Sequence, residues 1–305
     1  MMMIETPTFV STHWLASHLY DEALVVLEVA VHYDPSSEQL PYADEQAYQK
    51  NGHIPGAIFV DLNRWNASEA PVPFTMDKDT TSFLERLAQL GIDEEKRVVV
   101  YDRGALANAP TVHADMWASR FAWQCQVAGF DHISILNGGL FKWVNEGRPL
   151  ATGMEIPETL GHLQPRSPHL EYYADAKTVT EALTDPAVTI IDALSPEQYT
   201  GAVCPFGAER AGHIPTAKNL FFPTLTDPTT GALLPDDQLR EKLERLALSD
   251  LTQPLLIYCG FGIAATYLFQ VFKHLGYQQI KVYDGSLLEW ARFTNYPLEI
   301  GERDE

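Results

Sequence analysis

The sequence predicts two α/β domains in tandem, and three observations carry that prediction. Short continuous apolar runs, the mark of strands covered on both faces, alternate with amphipathic helical stretches. The turn Gly52-His53-Ile54-Pro55 returns as Gly212-His213-Ile214-Pro215. The points around those turns also return in one order. Val98 to Tyr101 is answered by Leu255 to Tyr258, and Pro149-Leu150 by Pro297-Leu298. Asn137-Gly138-Gly139-Leu140 with Trp143 is answered by Asp284-Gly285-Ser286-Leu287 with Trp290. A repeat this long means duplication of one domain, because solenoid periods are far shorter. The expected division is a first domain at 1–150, a linker at 151–172 carrying Pro157, Pro165 and Pro168, and a second domain at 173–305.

Each element has a local reason. Ser11 is placed to cap a short helix within Val10 to Tyr20, and Ala23 to Val29 is a buried strand. A polar stretch leads to the first Gly-His-Ile-Pro turn. Thr81 to Leu90 reads as an amphipathic helix stopped by Gly91, and Lys96 to Tyr101 as the second strand. A longer helix, Ala114 to Val127, ends at Gly129. The strand His132 to Leu136 then runs into a helix containing Trp143. In the second domain the strand Leu255 to Tyr258 feeds a helix from Ala264 to Leu275 through Cys259-Gly260-Phe261-Gly262.

Composition excludes several classes of function. The chain of 305 residues is 46% hydrophobic and 20% charged, as in an ordinary globular protein with full cores. Its net charge of −20 opposes binding to nucleic acid or anionic membranes, and an anionic substrate must be attracted locally. Cys125, Cys204 and Cys259 are too few and too scattered for a disulfide framework or a zinc cluster. No metal site or organic cofactor is implied. No run of about 18 apolar residues suggests a membrane span, and the start lacks the basic and apolar regions of a signal peptide. The expected compartment is the cytoplasm.

The stretch Pro254 to Thr266 is where chemistry is expected. A parallel strand entering a helix through a glycine-bearing turn aims backbone N–H groups and the helix dipole at whatever sits in the turn. Here that is the sulfur of Cys259, and such a site favours the nucleophilic thiolate. Gly260 and Gly262 would let the backbone curl around the sulfur. The N–H groups from Gly260 through Phe261, Gly262, Ile263, Ala264 and Ala265 would form its cradle. The alternative for Cys259 is a small buried core residue.

On these residues the chain resembles the two-domain rhodanese-like sulfurtransferases, the family of thiosulfate and 3-mercaptopyruvate sulfurtransferases. Phe9-Val10-Ser11-Thr12-His13-Trp14-Leu15 is similar to its N-terminal motif. The two Gly-His-Ile-Pro turns, Ile191-Asp192-Ala193 with Pro196-Glu197-Gln198-Tyr199, and Cys259-Gly260-x-Gly262 follow in family order. The resemblance covers nearly the whole chain. It implies two rhodanese-like domains, each a mostly parallel sheet flanked by helices, with Asp102 replacing cysteine in an inactive first domain. It also implies that Cys259 takes a sulfur atom as a persulfide and passes it to cyanide, a thiol or a thioredoxin-like dithiol. The uncharged loop looks more like the mercaptopyruvate branch than the thiosulfate branch, which usually places cations there. Three positions depart from that branch: Phe261 stands for its serine, and Leu194 and Phe206 for its carboxylate-binding arginines. The nearest cation to the second is Arg210. His53 is expected to hold its turn, and the resemblance adds that a first-domain histidine can face the substrate.

The remaining residues have plainer readings. Cys125, Trp143 and Trp290 are expected in the core. Cys204 beside Pro205 is expected to be an exposed thiol, with a redox role as its alternative. Phe261 is either an apolar lid over the persulfide or a core contact. The spacing argues firmly against a phosphatase of the Cys-x5-Arg type, since Ala265 stands six after Cys259 and the first cation after it is Lys273. Gly260-Phe261-Gly262 lacks both the full G-x-G-x-x-G pattern and a P-loop lysine. The non-enzyme alternative is a persulfide carrier or binding module.

Overall fold

A computed structural model of the chain describes residues 6–34, 39–67, 72–106, 109–205 and 207–301. Phe206 lies outside the described residues. The apolar runs become the strands of two five-stranded sheets. In the first, Phe9–Val10, Ile133–Leu136, Arg97–Tyr101, Leu24–Glu28 and Ile58–Phe59 lie side by side, every pairing parallel. In the second, the order is Tyr173–Ala174, Ile280–Tyr283, Leu255–Tyr258, Thr189–Asp192 and Lys218–Asn219, again all parallel. Helices cover the sheet faces, which is why the central strands are apolar throughout. The predicted helices stand: Thr12–His18 with Ser11 as N-cap, Thr80–Ala88, Met116–Val127, Gly139–Asn145 and Ala264–His274.

The repeated sequence points are repeated bonds. Trp143 donates its indole N–H to the Pro149 carbonyl at 2.8 Å, and Trp290 does the same to Pro297 at 2.8 Å. Both indoles are fully buried in the cores of their sheets. The Tyr101 hydroxyl accepts the Ile54 N–H at 2.9 Å, and the Tyr258 hydroxyl accepts that of Ile214 at 3.0 Å. His53 and His213 pair by backbone with Ala151 and Glu299. Each ring stacks on a tyrosine, Tyr48 at 4.0 Å and Tyr199 at 3.8 Å. Cys125 is buried in its helix, and burial pushes its thiol pKa up. Cys204 is exposed.

The chain divides into two compact units that do not follow the sequence halves throughout. One is made of Met1–Asn66, Asp77–His169 and Asp227–Leu233; the other of Ala67–Met76, Leu170–Thr226 and Leu234–Glu305. Each unit thus takes in a short segment from the opposite half of the sequence. The Pro-rich stretch from Ala151 packs within the first unit, where Gly161 donates to the Ala88 carbonyl at 2.8 Å and His169 to that of Val127 at 2.8 Å.

Candidate active site

Strand order fixes where a ligand can sit in the second unit. From Thr189–Asp192 the chain moves outward to Lys218–Asn219, whereas from Leu255–Tyr258 it moves the other way to Ile280–Tyr283. These two neighbouring strands therefore flank the topological switch point, and crevices form outside their C-terminal ends. Cys259 is the first residue past one strand end, and Leu194 lies two past the other.

The turn at Cys259 is pinned from below. The Cys259 N–H donates to Ser286 Oγ at 3.2 Å, and that hydroxyl donates to the Tyr283 carbonyl at 2.8 Å. The carbonyls of Cys259 and Gly260 accept the N–H groups of Leu287 and Leu288, at 3.0 and 2.9 Å. Gly262 has φ +81°, so a side chain there would be strained. Gly260 is not left-handed, and a Cβ on it would meet only Leu194 Cδ2 at 3.9 Å. The curl expected of both glycines is the work of Gly262 alone.

Helix Ala264–His274 starts five residues after the cysteine, with Ile263 as N-cap and no side chain capping it. Among the described residues no acceptor takes the N–H of Gly260, Ile263, Ala264 or Ala265. These are the open donors of a helix start and the loop before it, and they suit an anion. Cys259 itself is 2% exposed. The walls are apolar. Phe261 stacks on Phe74 at 5.8 Å, and Leu194 borders Gly260.

The first unit shows the same position in another chemical state. Asp102 follows strand Arg97–Tyr101 as Cys259 follows Leu255–Tyr258. Its Oδ2 accepts from Trp117 and Ala118, at 2.8 and 2.9 Å, in the first turn of helix Met116–Val127, and its Oδ1 accepts from Gly104 at 2.7 Å. That helix start holds a carboxylate of its own chain. Burial raises the Asp102 pKa to about 6, and burial together with the Asp102 charge pushes Asp115 well up.

Buried carboxyls also sit at the neighbouring strand ends. Glu28 lies opposite Tyr101 in register, accepts its hydroxyl and pairs with Arg103 at 2.7 Å. Asp192 lies opposite Tyr258, and Gly260 stands where Arg103 would be, so that partner is missing. Burial raises both carboxyls to about 7, with Arg103 pulling Glu28 back down.

The other expected site residues each make contacts within their own unit. Arg210 is in the second unit, but its Nε donates to Ala291 at 2.9 Å and its Nη2 to Trp290, Phe293 and Tyr296 at 2.7 to 3.3 Å. It caps the far end of helix Ser286–Trp290, whose start holds Cys259. His53 is in the first unit, 0% exposed, with Nδ1 3.1 Å from the Tyr48 carbonyl. His213 repeats this contact with Tyr199 at 2.8 Å. Phe74 and Ser286 border the loop, and neither was named as a site residue from the sequence. A cavity of about 300 Å³ lies at the strands' opposite end, lined by Val188, Leu255 and Ile280, and it does not include Cys259. Among the described residues, no cluster of His, Cys, Asp or Glu could hold a metal ion, and no helix is long and apolar enough to cross a membrane.

Fold and turn together define a duplicated α/β protein that offers one sulfur, at the start of one helix, in one of its two units. The chain belongs to the family described as rhodanese-like domain, which it matches over residues 11–146 and 175–293, and it is a sulfurtransferase. It is 31% identical to thiosulfate/3-mercaptopyruvate sulfurtransferase 2 of Arabidopsis thaliana, over 95% of this chain and 85% of that one. It is 30% identical to the sulfur carrier protein TtuD of Thermus thermophilus, over 96% of each chain. The crystal structure of the Escherichia coli 3-mercaptopyruvate sulfotransferase SseA superposes with a TM-score of 0.76 at 26% identity, covering 92% of this chain and 99% of that one.

Proposed function

We propose that Cys259 carries the transferred sulfur as a persulfide, with 3-mercaptopyruvate ahead of thiosulfate as donor. What supports this reading most is the set of four open N–H groups at Gly260, Ile263, Ala264 and Ala265, in a loop without a cation. They suit a singly charged persulfide. A dianion in the same apolar turn would lack a counter-charge.

The Cys259 thiolate attacks the donor's sulfur and forms an S–S bond. With 3-mercaptopyruvate the C–S bond breaks, its electron pair stays on carbon, and that carbon takes the thiol proton to give pyruvate. With thiosulfate the S–S bond breaks and sulfite leaves. The acceptor, cyanide or a thiolate, then attacks the outer sulfur and returns Cys259 as thiolate. A thioredoxin-like dithiol ends as a disulfide with release of hydrogen sulfide. The N–H groups hold the anionic sulfur throughout. Arg210 and His53 are proposed to support the fold rather than touch the donor, since the first caps a helix end and the second is buried beneath a tyrosine. The proposed compartment is the reducing cytoplasm, where the three free cysteines stay thiols.

A second reading, a carrier that accepts sulfur without turning over a small donor, is favoured by Leu194 and Phe206 at the positions of the carboxylate-binding arginines and by Phe261 at that of the serine. Intact mass after incubation with each donor tests both. Wild type gains one sulfur (~32 Da), removed by cyanide or a thiol, while Cys259→Ser gains none. Repeated turnover of a small donor supports the enzyme reading; single loading without turnover supports the carrier. No gain with an alkylatable thiol sinks the persulfide assignment to these donors.

A further inference from the structure

We infer that Phe74 is a specificity-determining residue of the Cys259 site, and that it selects donors whose leaving group carries an apolar, preferably aromatic, body over the inorganic thiosulfate dianion. The inference rests on Cys259 being the sulfur-carrying residue.

Phe74 sits in the turn Val72-Pro73-Phe74-Thr75, closed by the Thr75 N–H on the Val72 carbonyl at 3.4 Å and by its hydroxyl on the same oxygen at 2.8 Å. Proline second and a positive φ third is the pattern of a type II turn, whose third place belongs to glycine or asparagine. Here it holds a phenylalanine at φ 66°. A bulky residue is strained in that region and persists only when the surroundings hold it there. They do. Segment Ala67–Met76 belongs to the unit of Cys259, and the Met76 N–H donates to Asp284 Oδ2 at 2.8 Å.

What the strain achieves is placement of a ring. Phe74 stacks on Phe261 with ring centres 5.8 Å apart and planes 29° from parallel, and the two are 5% and 8% exposed. Phe261 lies two residues after Cys259. Leu194 borders Gly260 as well, so the side chains beside the loop offer a donor's body carbon while its open N–H groups suit the sulfur. No cation stands in the loop to repay desolvation of a dianion. An aromatic body can instead add offset stacking to apolar burial.

The test compares loading by benzenethiosulfonate, methanethiosulfonate and thiosulfate. In each case the Cys259 thiolate takes the outer sulfur, the donor S–S bond breaks, and benzenesulfinate, methanesulfinate or sulfite leaves with the electron pair. The ratio of kcat/KM for the aryl over the methyl donor, and over thiosulfate, is measured in wild type, Phe74→Gly and Phe74→Tyr, with cyanide as acceptor. Glycine suits the turn and offsets part of the cost of losing the buried ring, and the melting temperature checks that the variant folds. Tyrosine keeps the ring. The expected result is an aryl preference in wild type that falls about tenfold in Phe74→Gly and survives in Phe74→Tyr. Equal ratios in wild type and Phe74→Gly, with sulfur still loading, overturn the inference and leave the persulfide reading standing. No loading of wild type by any donor, with Cys259 still alkylated by iodoacetamide, overturns both.

Discussion

The chemistry proposed for Cys259 draws on backbone N–H groups, so the glycines are informative substitutions. Gly262 at φ +81° is in the region where a side chain costs ~1–2 kcal/mol, and it aims the N–H groups that follow it. Gly262→Ala is expected to lower the melting temperature and to slow sulfur loading about tenfold or more, since an anion hole loses strength when its donors are re-aimed. Gly260→Ala is the control: its Cβ would rest 3.9 Å from Leu194, an ordinary contact, and both properties should stay near wild type. Loading rates and melting curves of the pair check this, and equal behaviour would show that the curl at Gly262 is dispensable. The turn that carries Cys259 was legible in the sequence because strand, glycine turn and helix start leave a linear signature. Phe74 was not. Val-Pro-Phe-Thr reads as a plain proline turn, and a positive φ at phenylalanine runs against the preference on which any sequence reading relies.

Strands and helices were legible for the reason that places them: a strand between two helical layers must be apolar on both faces, so it appears as an unbroken run. What such a pattern hides is the polar residue at the strand end. Glu28 and Asp192 close two of these runs, fully buried beside Tyr101 and Tyr258. Burial raises Asp192 to about 7, from an ordinary value near 4. A carboxyl whose folded pKa is raised binds its proton more tightly in the folded state. Its contribution to stability is therefore fully present below about pH 4 and lost as pH rises through about 7. Asp192→Asn removes that titration while keeping an oxygen to accept the Leu194 N–H. At pH 4 the variant should unfold close to wild type. At pH 7.5 it should be more stable, by on the order of 1–3 kcal/mol. Urea unfolding at the two pH values checks the sign, and a variant that loses stability only at the higher pH contradicts it.

Duplication was readable as a repeat of turns and tryptophans, but the exchange of segments between the halves was not. Nothing in the composition or periodicity of Ala67–Met76 marks it for the unit of Cys259, because its attachments include a stacked ring and a hydrogen bond to residues roughly 190 to 210 positions away. Such contacts carry no local pattern. They also set a limit on dividing the molecule at its Pro-rich stretch. A fragment of residues 170–305 keeps the strands, the cysteine turn and the helix start. It loses the ring over Phe261 and the N–H on Asp284, a nearly fully buried carboxylate. It also carries Asp227–Leu233 away from the unit where Leu233 donates to Asn137 Oδ1 at 2.7 Å. Losing buried polar and aromatic partners together costs several kcal/mol, a large share of a domain's stability. The fragment is expected to melt at a lower temperature than the second unit in the intact chain and to load sulfur more slowly. Adding residues 67–76 through a flexible linker should recover part of both. Full stability and full loading in the bare fragment would mean that the exchanged segment is not needed by the site, and that the repeat alone is a complete sulfur-carrying unit.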